Sequence, residues 1–395
     1  MASMNRTDES ALDTENLQGD PQSEAEDQGE AEDVVEKRRY NPARDGLDRT
    51  GLYHSFRLPD GRILEGTMAL AFQEERLASF NLPDDLTGKI ALDIGPWDGY
   101  YSFELERRGA AVTSIDYVDL DTYRELRRAF ASKTRYLKMD IYELDPSVVG
   151  MFDVVLCFGV LYHLKHPLLA LEKVCTVTRD VCLIDTFVVD GVDWQRGVRP
   201  PLPYLEFYET DELAGQTDNW CGPTVGAVEA LVRAAGFAKA TVARVTDSSV
   251  RVIADRNWRG LPPDEKAPIE LTALHCHHHQ GRCFRSAKEE YLTFWCAWNE
   301  PSTPGLDEVF PEVDGYGVAP LACSATEYGL TVSARVPPGL TSGAHEARLK
   351  IGSHGWSRSE TFYVDLPVQE AVLQIQSLQD GVSWETGSLH WKNGG

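Results

Sequence analysis

Ala91-Leu-Asp-Ile-Gly-Pro-Trp-Asp-Gly-Tyr-Tyr101 decides how this 395-residue chain is read. Ile90, Ala91, Leu92 and Ile94 make a short apolar run of the kind that forms a buried strand. Gly95 and Gly99 bracket a tight turn, and Tyr100 to Arg108 then has a helical pattern closed by Gly109. Strand, glycine turn and helix start together make the ligand-binding corner of a doubly wound sheet. Glycine lets the backbone approach a ligand closely, and a helix N-terminus offers unpaired N–H groups.

Outward from that corner, strands and helices alternate. Strands are expected at 89–94, 111–116, 134–139, 152–158 and 181–188, and helices at 100–108, 120–131, 167–176 and 223–235. Such alternation predicts a mostly parallel sheet covered on both faces. Two further strands, 239–245 and 249–254, are separated only by Thr246-Asp-Ser-Ser249, too short for a crossover helix. They are expected to close the sheet as an antiparallel hairpin. Ahead of the corner, two short strands flank Pro59-Asp60-Gly61 and a helix follows near 69–80.

The domain reading is an acidic disordered tail at 1–45, a Rossmann-like domain at 46–257, a connector at 258–305 and a β-sandwich at 306–395. Residues 1–40 hold 12 Asp/Glu against 4 Lys/Arg and almost no large apolar side chains, too few to offset the entropy of ordering. In the last segment, Gly329–Val336, His345–Gly352 and Thr361–Leu366 alternate around turns such as Pro337-Pro-Gly-Leu, and a final hairpin is expected across Gln379-Asp-Gly381. Through Pro337–His345, residues 306–366 resemble immunoglobulin-like domains. The overall expectation is an α/β fold with a small second, all-β unit.

A net charge of −24 disfavours a phosphate-backbone partner unless one face is locally basic. No apolar run reaches the roughly 18 residues of a membrane span. The N-terminus is polar, and cysteines such as Cys157 and Cys182 sit in apolar runs, so buried free thiols in the cytoplasm are expected.

Three carboxylates end successive strands: Asp93, Asp116 and Asp140. Asp116 lies 17 residues past Gly99, near the spacing at which an acidic residue meets ribose hydroxyls. In the turn, Trp97 stands where another glycine would admit phosphate, and Asp98 adds negative charge. Both features turn the corner away from a dinucleotide and toward S-adenosylmethionine, which carries no phosphate.

These residues carry a resemblance to the S-adenosylmethionine-dependent methyltransferases related to the tRNA wobble-uridine carboxymethyl- and methyltransferase family. Leu92–Phe103, Glu106–Gly109, Phe152–Pro167, Trp220 and Gly222–Gly236 match its motifs, and His54 with Leu58-Pro-Asp-Gly61 resembles its N-terminal strand pair. The resemblance implies that Gly95, Trp97 and Gly99 line the methionine part of the donor, with Asp93, Asp98 and Tyr101 beside them. Asp116 and Tyr117 would hold the ribose, Asp140 and Ile141 would meet the adenine, and Phe158 and Gly159 would flank the sulfonium. The basic segment that reads the extra carboxylate of a carboxymethyl donor has no counterpart here, so ordinary methyl transfer is expected.

On the acceptor side, His163 follows the fourth strand and is the candidate general base, equally readable as a residue that bonds the backbone. Tyr162 is a second catalytic candidate. The long insert 189–222 carries Trp194, Tyr204, Glu206, Phe207, Tyr208 and Trp220. Its Tyr204 and Trp220, with His54, are candidate acceptor-binding residues. The expected acceptor is a small or sugar-containing molecule methylated on oxygen, less readily on nitrogen. A tRNA acceptor is the alternative, and a catalytically silent scaffold acting through its β-unit is the third reading. The His275–His279 cluster lacks the spacing of a zinc site, and no metal is assigned.

Overall fold

The structure, a computed structural model, describes residues 51–58, 61–276, 283–284, 291–364, 382–385 and 388–391. The acidic tail, Pro59-Asp60, His277–His279 and Gln379–Gly381, where a hairpin turn was expected, lie outside the described residues.

The chain enters through strands β1 (Phe56–Arg57) and β2 (Ile63–Leu64), an antiparallel pair, followed by helix α1 (Leu70–Ala78). Gln73 of α1 locks this entry, because its side-chain amide bonds both the N–H (2.8 Å) and the C=O (2.9 Å) of Ser55. Strand β3 (Ile90–Ile94), helix α2 (Tyr100–Arg107), β4 (Ala111–Asp116), helix α3 (Asp121–Ala129) and β5 (Arg135–Lys138) follow. Next come the short helix α4 (Pro146–Val149), β6 (Phe152–Phe158), α5 (Pro167–Val177) and β7 (Thr178–Phe187). The insert supplies α6 (Gly191–Gln195) and the hairpin β8 (Leu205–Phe207)/β9 (Cys221–Pro223). Helix α7 (Val225–Ala234) then leads to β10 (Lys239–Val245) and β11 (Ser249–Asp255).

The seven-stranded sheet has the order β10-β11-β7-β6-β3-β4-β5. Five strands run parallel, and β11 and β10 are antiparallel, as the short Thr246–Ser249 link requires. Strand β6 is buried at every position, which is why Phe-Asp-Val-Val-Leu-Cys-Phe reads as a continuous run rather than an alternation. Its one polar member, Asp153, bonds Ile90 N–H at 2.9 Å and Arg179 at 2.7 Å. Leu171, Val174 and Cys175 of α5 pack on one face of the sheet, while Tyr101 and Leu105 of α2 pack on the other. No helix among the described residues is long and apolar enough to cross a membrane.

The second unit differs from expectation in its boundary. Strands β12 (Leu271–Cys276), β13 (Cys283–Phe284) and β14 (Tyr291–Cys296) fall where a connector was expected, yet all three pair within the β-unit. One sheet has the order β12-β14-β18-β17, with β17 at Pro320–Thr326 and β18 at Gly329–Arg335. The other has β13-β20-β19-β15-β16, with β15 at Val309–Val313, β16 at Tyr316–Gly317, β19 at Gly343–Ile351 and β20 at Glu360–Val364. The signal was an alternation, because Leu292, Phe294 and Cys296 of β14 and Leu330, Val332 and Ala334 of β18 face one core with Leu349 and Phe362 of the opposite sheet. Strand β21 (Val382–Glu385) pairs antiparallel with β22 (Ser388–Trp391).

The units meet through the residues after β11. Trp258 Nε1 donates to Pro311 O at 2.8 Å, and the Asn257 side chain bonds Gly315 O and Gly317 N–H, both at 2.8 Å.

Candidate active site

The site is the C-terminal edge of the parallel strands. Gly95 (φ +66°) follows β3, and a Cβ there would stand 2.6 Å from Val160 Cγ2. Gly99 (φ +94°) caps α2, and its missing Cβ makes room for the Tyr123 ring. The turn therefore needs glycine at both positions for conformation and for space. Trp97 between them is also left-handed (φ +49°) and half exposed.

Asp98 does not face the turn's ligand side as the sequence reading had it. It is fully buried, and its Oδ2 accepts the backbone N–H groups of Tyr53 (2.5 Å) and His54 (3.1 Å). Its charge holds down the entering chain and carries no argument against phosphate; exposed Trp97 still does. Asp93 is likewise turned inward, its Oδ2 accepting from Ser102 of α2 at 2.6 Å. Ser102 continues through Ser114 and Tyr123 to Thr134 in a buried hydroxyl chain, with contacts of 2.8, 2.8 and 2.9 Å. Burial, reinforced by the nearby Asp116 charge, pushes the Asp93 carboxyl up to about 7, although the Ser102 bond opposes it.

Asp116 stands at the end of β4, where its Oδ1 accepts from Val118 N–H at 3.0 Å and burial raises its pKa. Tyr117 beside it is largely exposed. Asp140 caps the turn Ile141–Glu143 by accepting from Tyr142 N–H at 3.0 Å, so its carboxylate is occupied locally, and Ile141 is core. Phe158 ends β6 in a stack with Phe80 (5.2 Å), and Tyr101 meets it edge-on at 5.0 Å. Gly159 (φ +71°) follows, its N–H donating to Asp185 O at 2.8 Å.

His163 lies one turn beyond β6. Its Nδ1 is 3.1 Å from the backbone carbonyl of Asp218, whose carboxylate lies at 3.5 Å. A carbonyl only accepts, so Nδ1 carries the proton in the neutral ring and Nε2 keeps its lone pair. The Tyr162 ring packs on His163 at 4.3 Å, and burial pushes its hydroxyl up to about 12. Trp220 N–H donates to Tyr162 O at 2.8 Å and Lys165 lies over the indole at 4.3 Å, so the insert is clamped to the end of β6. Tyr204, by contrast, sits on the outer hairpin, half exposed, with its N–H on Thr224 Oγ1 at 3.3 Å. His54 is buried among the rings of Tyr53, Phe56, Tyr100 and Tyr101.

A charged cluster escaped the sequence reading. Asp185, at the end of β7 and paired in register with Phe158, bonds Arg76 (3.3 Å) and Arg251 (3.1 Å). Arg251 also grips Glu75 with two bonds, at 2.8 and 2.9 Å, and Arg244 pairs with Glu75. The available signals were a carboxylate at a strand end and an arginine inside the apolar alternation of β11. Asp218, 55 residues from His163, gave no signal.

Part of the chain is similar to known proteins. Residues 92–181 match the family model of the methyltransferase domain. The tRNA U34 carboxymethyltransferases of Pseudomonas paraeruginosa and Pseudomonas putida are 32% and 31% identical over 181 residues, covering 44% of this chain and 52% and 53% of theirs. The chain thus spans about half the length of the curated relatives it matches. Among solved structures, the N-terminal domain of EvdMO1 with SAH bound is 17% identical with a TM-score of 0.41, over 58% of this chain and 96% of that one. The family match from β3 into β7 makes the first unit a methyltransferase domain of the S-adenosylmethionine-dependent class, and the 181-residue relation is to the tRNA U34 carboxymethyltransferases.

Proposed function

We propose that the chain moves a methyl group from S-adenosylmethionine to an oxygen, in preference to a nitrogen, of a small-molecule or sugar-containing acceptor, in the cytoplasm. The observation that carries this reading is His163, whose Nδ1–H is held by Asp218 O so that Nε2 is free to take a proton.

The donor supplies an electrophilic methyl group on a sulfonium. The chain's part is placement, since an in-line displacement gains most from orientation. The positive-φ glycines Gly95 and Gly99 open the cradle, with Trp97 over the methionine part. Asp116 is held rigid at the β4 end to bond ribose hydroxyls, with Tyr117 beside it. Ile141 borders the adenine; Phe158 and Gly159 border the sulfonium. Tyr162 and Trp220 wall the acceptor, and His163 removes its proton as the new bond forms. The donor fits this edge because no basic group is needed at the glycine turn.

Labelled methyl transfer from S-adenosylmethionine into extract fractions, with identification of the product, tests the proposal. A labelled ether or ester is expected, and a labelled amine would overturn the oxygen assignment. Calorimetry showing no binding of S-adenosylhomocysteine would instead favour a silent scaffold.

One observation favours a tRNA acceptor as the second reading. Residues 124–138 carry six basic side chains against Glu125 alone, on an otherwise acidic chain. Arg127, Arg128 and Lys138, with Arg124 paired to Asp119, line a cleft of about 590 Å³ beside edge strand β5. Filter binding to tRNA across a salt series separates the readings, because phosphate contacts weaken steeply with salt. Absence of salt-sensitive binding would remove the tRNA acceptor.

A further inference from the structure

The Asp185 cluster is not charge-balanced. It joins three guanidinium groups, Arg76, Arg244 and Arg251, to two carboxylates, Glu75 and Asp185. Arg251 is saturated by Glu75 and Asp185, and Arg244 takes the outer face of Glu75. Arg76 bonds one oxygen of Asp185, makes a long 3.5 Å contact to Tyr101 Oη and lies 5.0 Å over the Phe72 ring. Its Nε is buried and has no hydrogen-bond partner among the described residues. A buried donor on a charged group is costly to leave unpaired.

Position gives that vacancy meaning. Asp185 pairs with Phe158, and its carbonyl receives the Gly159 N–H, so Arg76 reaches the strand end assigned to the sulfonium. The Tyr53, Tyr101 and Tyr162 hydroxyls, the His54 imidazole and the Glu75 carboxylate also lie within electrostatic reach of Arg76. A guanidinium in surplus, flanked by phenols, fits a planar two-oxygen anion.

We propose that Arg76 is a carboxylate anchor at the methyl-transfer end of the site. The carboxylate belongs either to the acceptor or to the amino-acid half of the donor, and the same geometry serves both. The assignment rests on the methyltransferase reading above, and it names a chemical requirement that reading leaves open.

The test uses the full chain and calorimetry with three probes: 5′-methylthioadenosine, which lacks the amino acid, S-adenosylhomocysteine, and benzoate against benzamide on the S-adenosylhomocysteine-loaded protein. If the donor supplies the carboxylate, Arg76→Gln weakens S-adenosylhomocysteine about tenfold or more and leaves 5′-methylthioadenosine unchanged. If the acceptor supplies it, the loaded wild-type protein binds benzoate in preference to benzamide, and Arg76→Gln abolishes the preference. Arg76→Lys, which keeps the charge and Asp185 paired, restores part of either effect and guards against a folding defect in Arg76→Gln. The proposal is overturned if wild-type protein shows neither an amino-acid contribution to donor affinity nor a benzoate preference, or if both survive Arg76→Gln. Retained 5′-methylthioadenosine binding in that case leaves the donor site standing, so the two readings fail separately.

Discussion

The Asp98 carboxylate and the Tyr53 backbone N–H, 45 residues apart in sequence, are 2.5 Å apart in space. With the His54 N–H on the same oxygen, one side chain of the glycine turn fastens the entering segment. Asp98→Ala would leave two N–H groups without their charged acceptor. We expect a loss of about 3 kcal/mol in urea unfolding, and about 1 kcal/mol for Asp98→Asn, which keeps one acceptor oxygen. S-adenosylhomocysteine affinity should fall with Asp98→Ala even where the protein is fully folded. Unchanged stability would show that the entering segment is held by other contacts.

Asp93 gives a stability effect with a definite pH window. Its carboxyl is raised from 3.8 to about 7 in the folded protein, chiefly by burial. A raised carboxyl favours the protonated form in the folded state, so its contribution is complete below about pH 4 and is lost as pH rises through 7. Asp93→Asn removes that titration. Thermal melts of the two proteins should run together at low pH and separate between pH 4 and 7, with the variant the more stable on the alkaline side. Parallel curves across the window would contradict the assignment.

The sheet was legible in the chain because each element carries its own signal. A continuous apolar run marks β6, a glycine turn marks the start of α2, and a four-residue link dictates the antiparallel hairpin. The strand-end carboxylates were found, but which way they point was not. Asp93 and Asp98 look like lip residues in sequence, and their partners, Ser102 and the Tyr53 and His54 amides, become visible only once α2 and the entering chain are packed. The Arg76–Asp185–Arg251 cluster was hidden for the same reason, since its members lie on α1, β7 and β11. The β-unit begins ahead of the expected boundary because β14 carries only a short alternation, Leu292, Phe294 and Cys296, close after the polar His275–His279 run.

In the proposed mechanism His163 is the base and Asp218 orients it. If Nε2 is the base, His163→Ala should lower kcat by roughly a hundred- to ten-thousand-fold while S-adenosylhomocysteine binding is unchanged. Added imidazole should restore part of the rate. Asp218→Ala keeps the carbonyl bond to Nδ1 and removes only the carboxylate at 3.5 Å, so a smaller loss is expected, about tenfold or less. A purely structural His163 would instead lower the melting temperature and show no imidazole rescue.

His54 is the residue at which packing and acceptor contact make opposite forecasts. Burial, then the Arg76 charge, depresses its pKa from 6.5 to about 3, and its Nδ1 is buried without a hydrogen-bond partner among the described residues. A depressed histidine is neutral when folded and takes up a proton on unfolding. Its contribution is therefore present above pH 6.5 and lost as pH falls toward 3. Phenylalanine suits the same ring-lined space, with Tyr100 stacked at 6.1 Å and Tyr101 edge-on at 5.5 Å, and has no nitrogen to desolvate. His54→Phe should accordingly match or exceed the wild type in stability at pH 7.5 and unfold at a lower pH on acid titration. If His54 serves only packing, methyl transfer by this variant stays at the wild-type rate. If its Nδ1 bonds the acceptor, KM for the acceptor rises while S-adenosylhomocysteine affinity holds. A variant that loses stability at pH 7.5 would refute the packing account, because the ring-lined space would then need the imidazole itself.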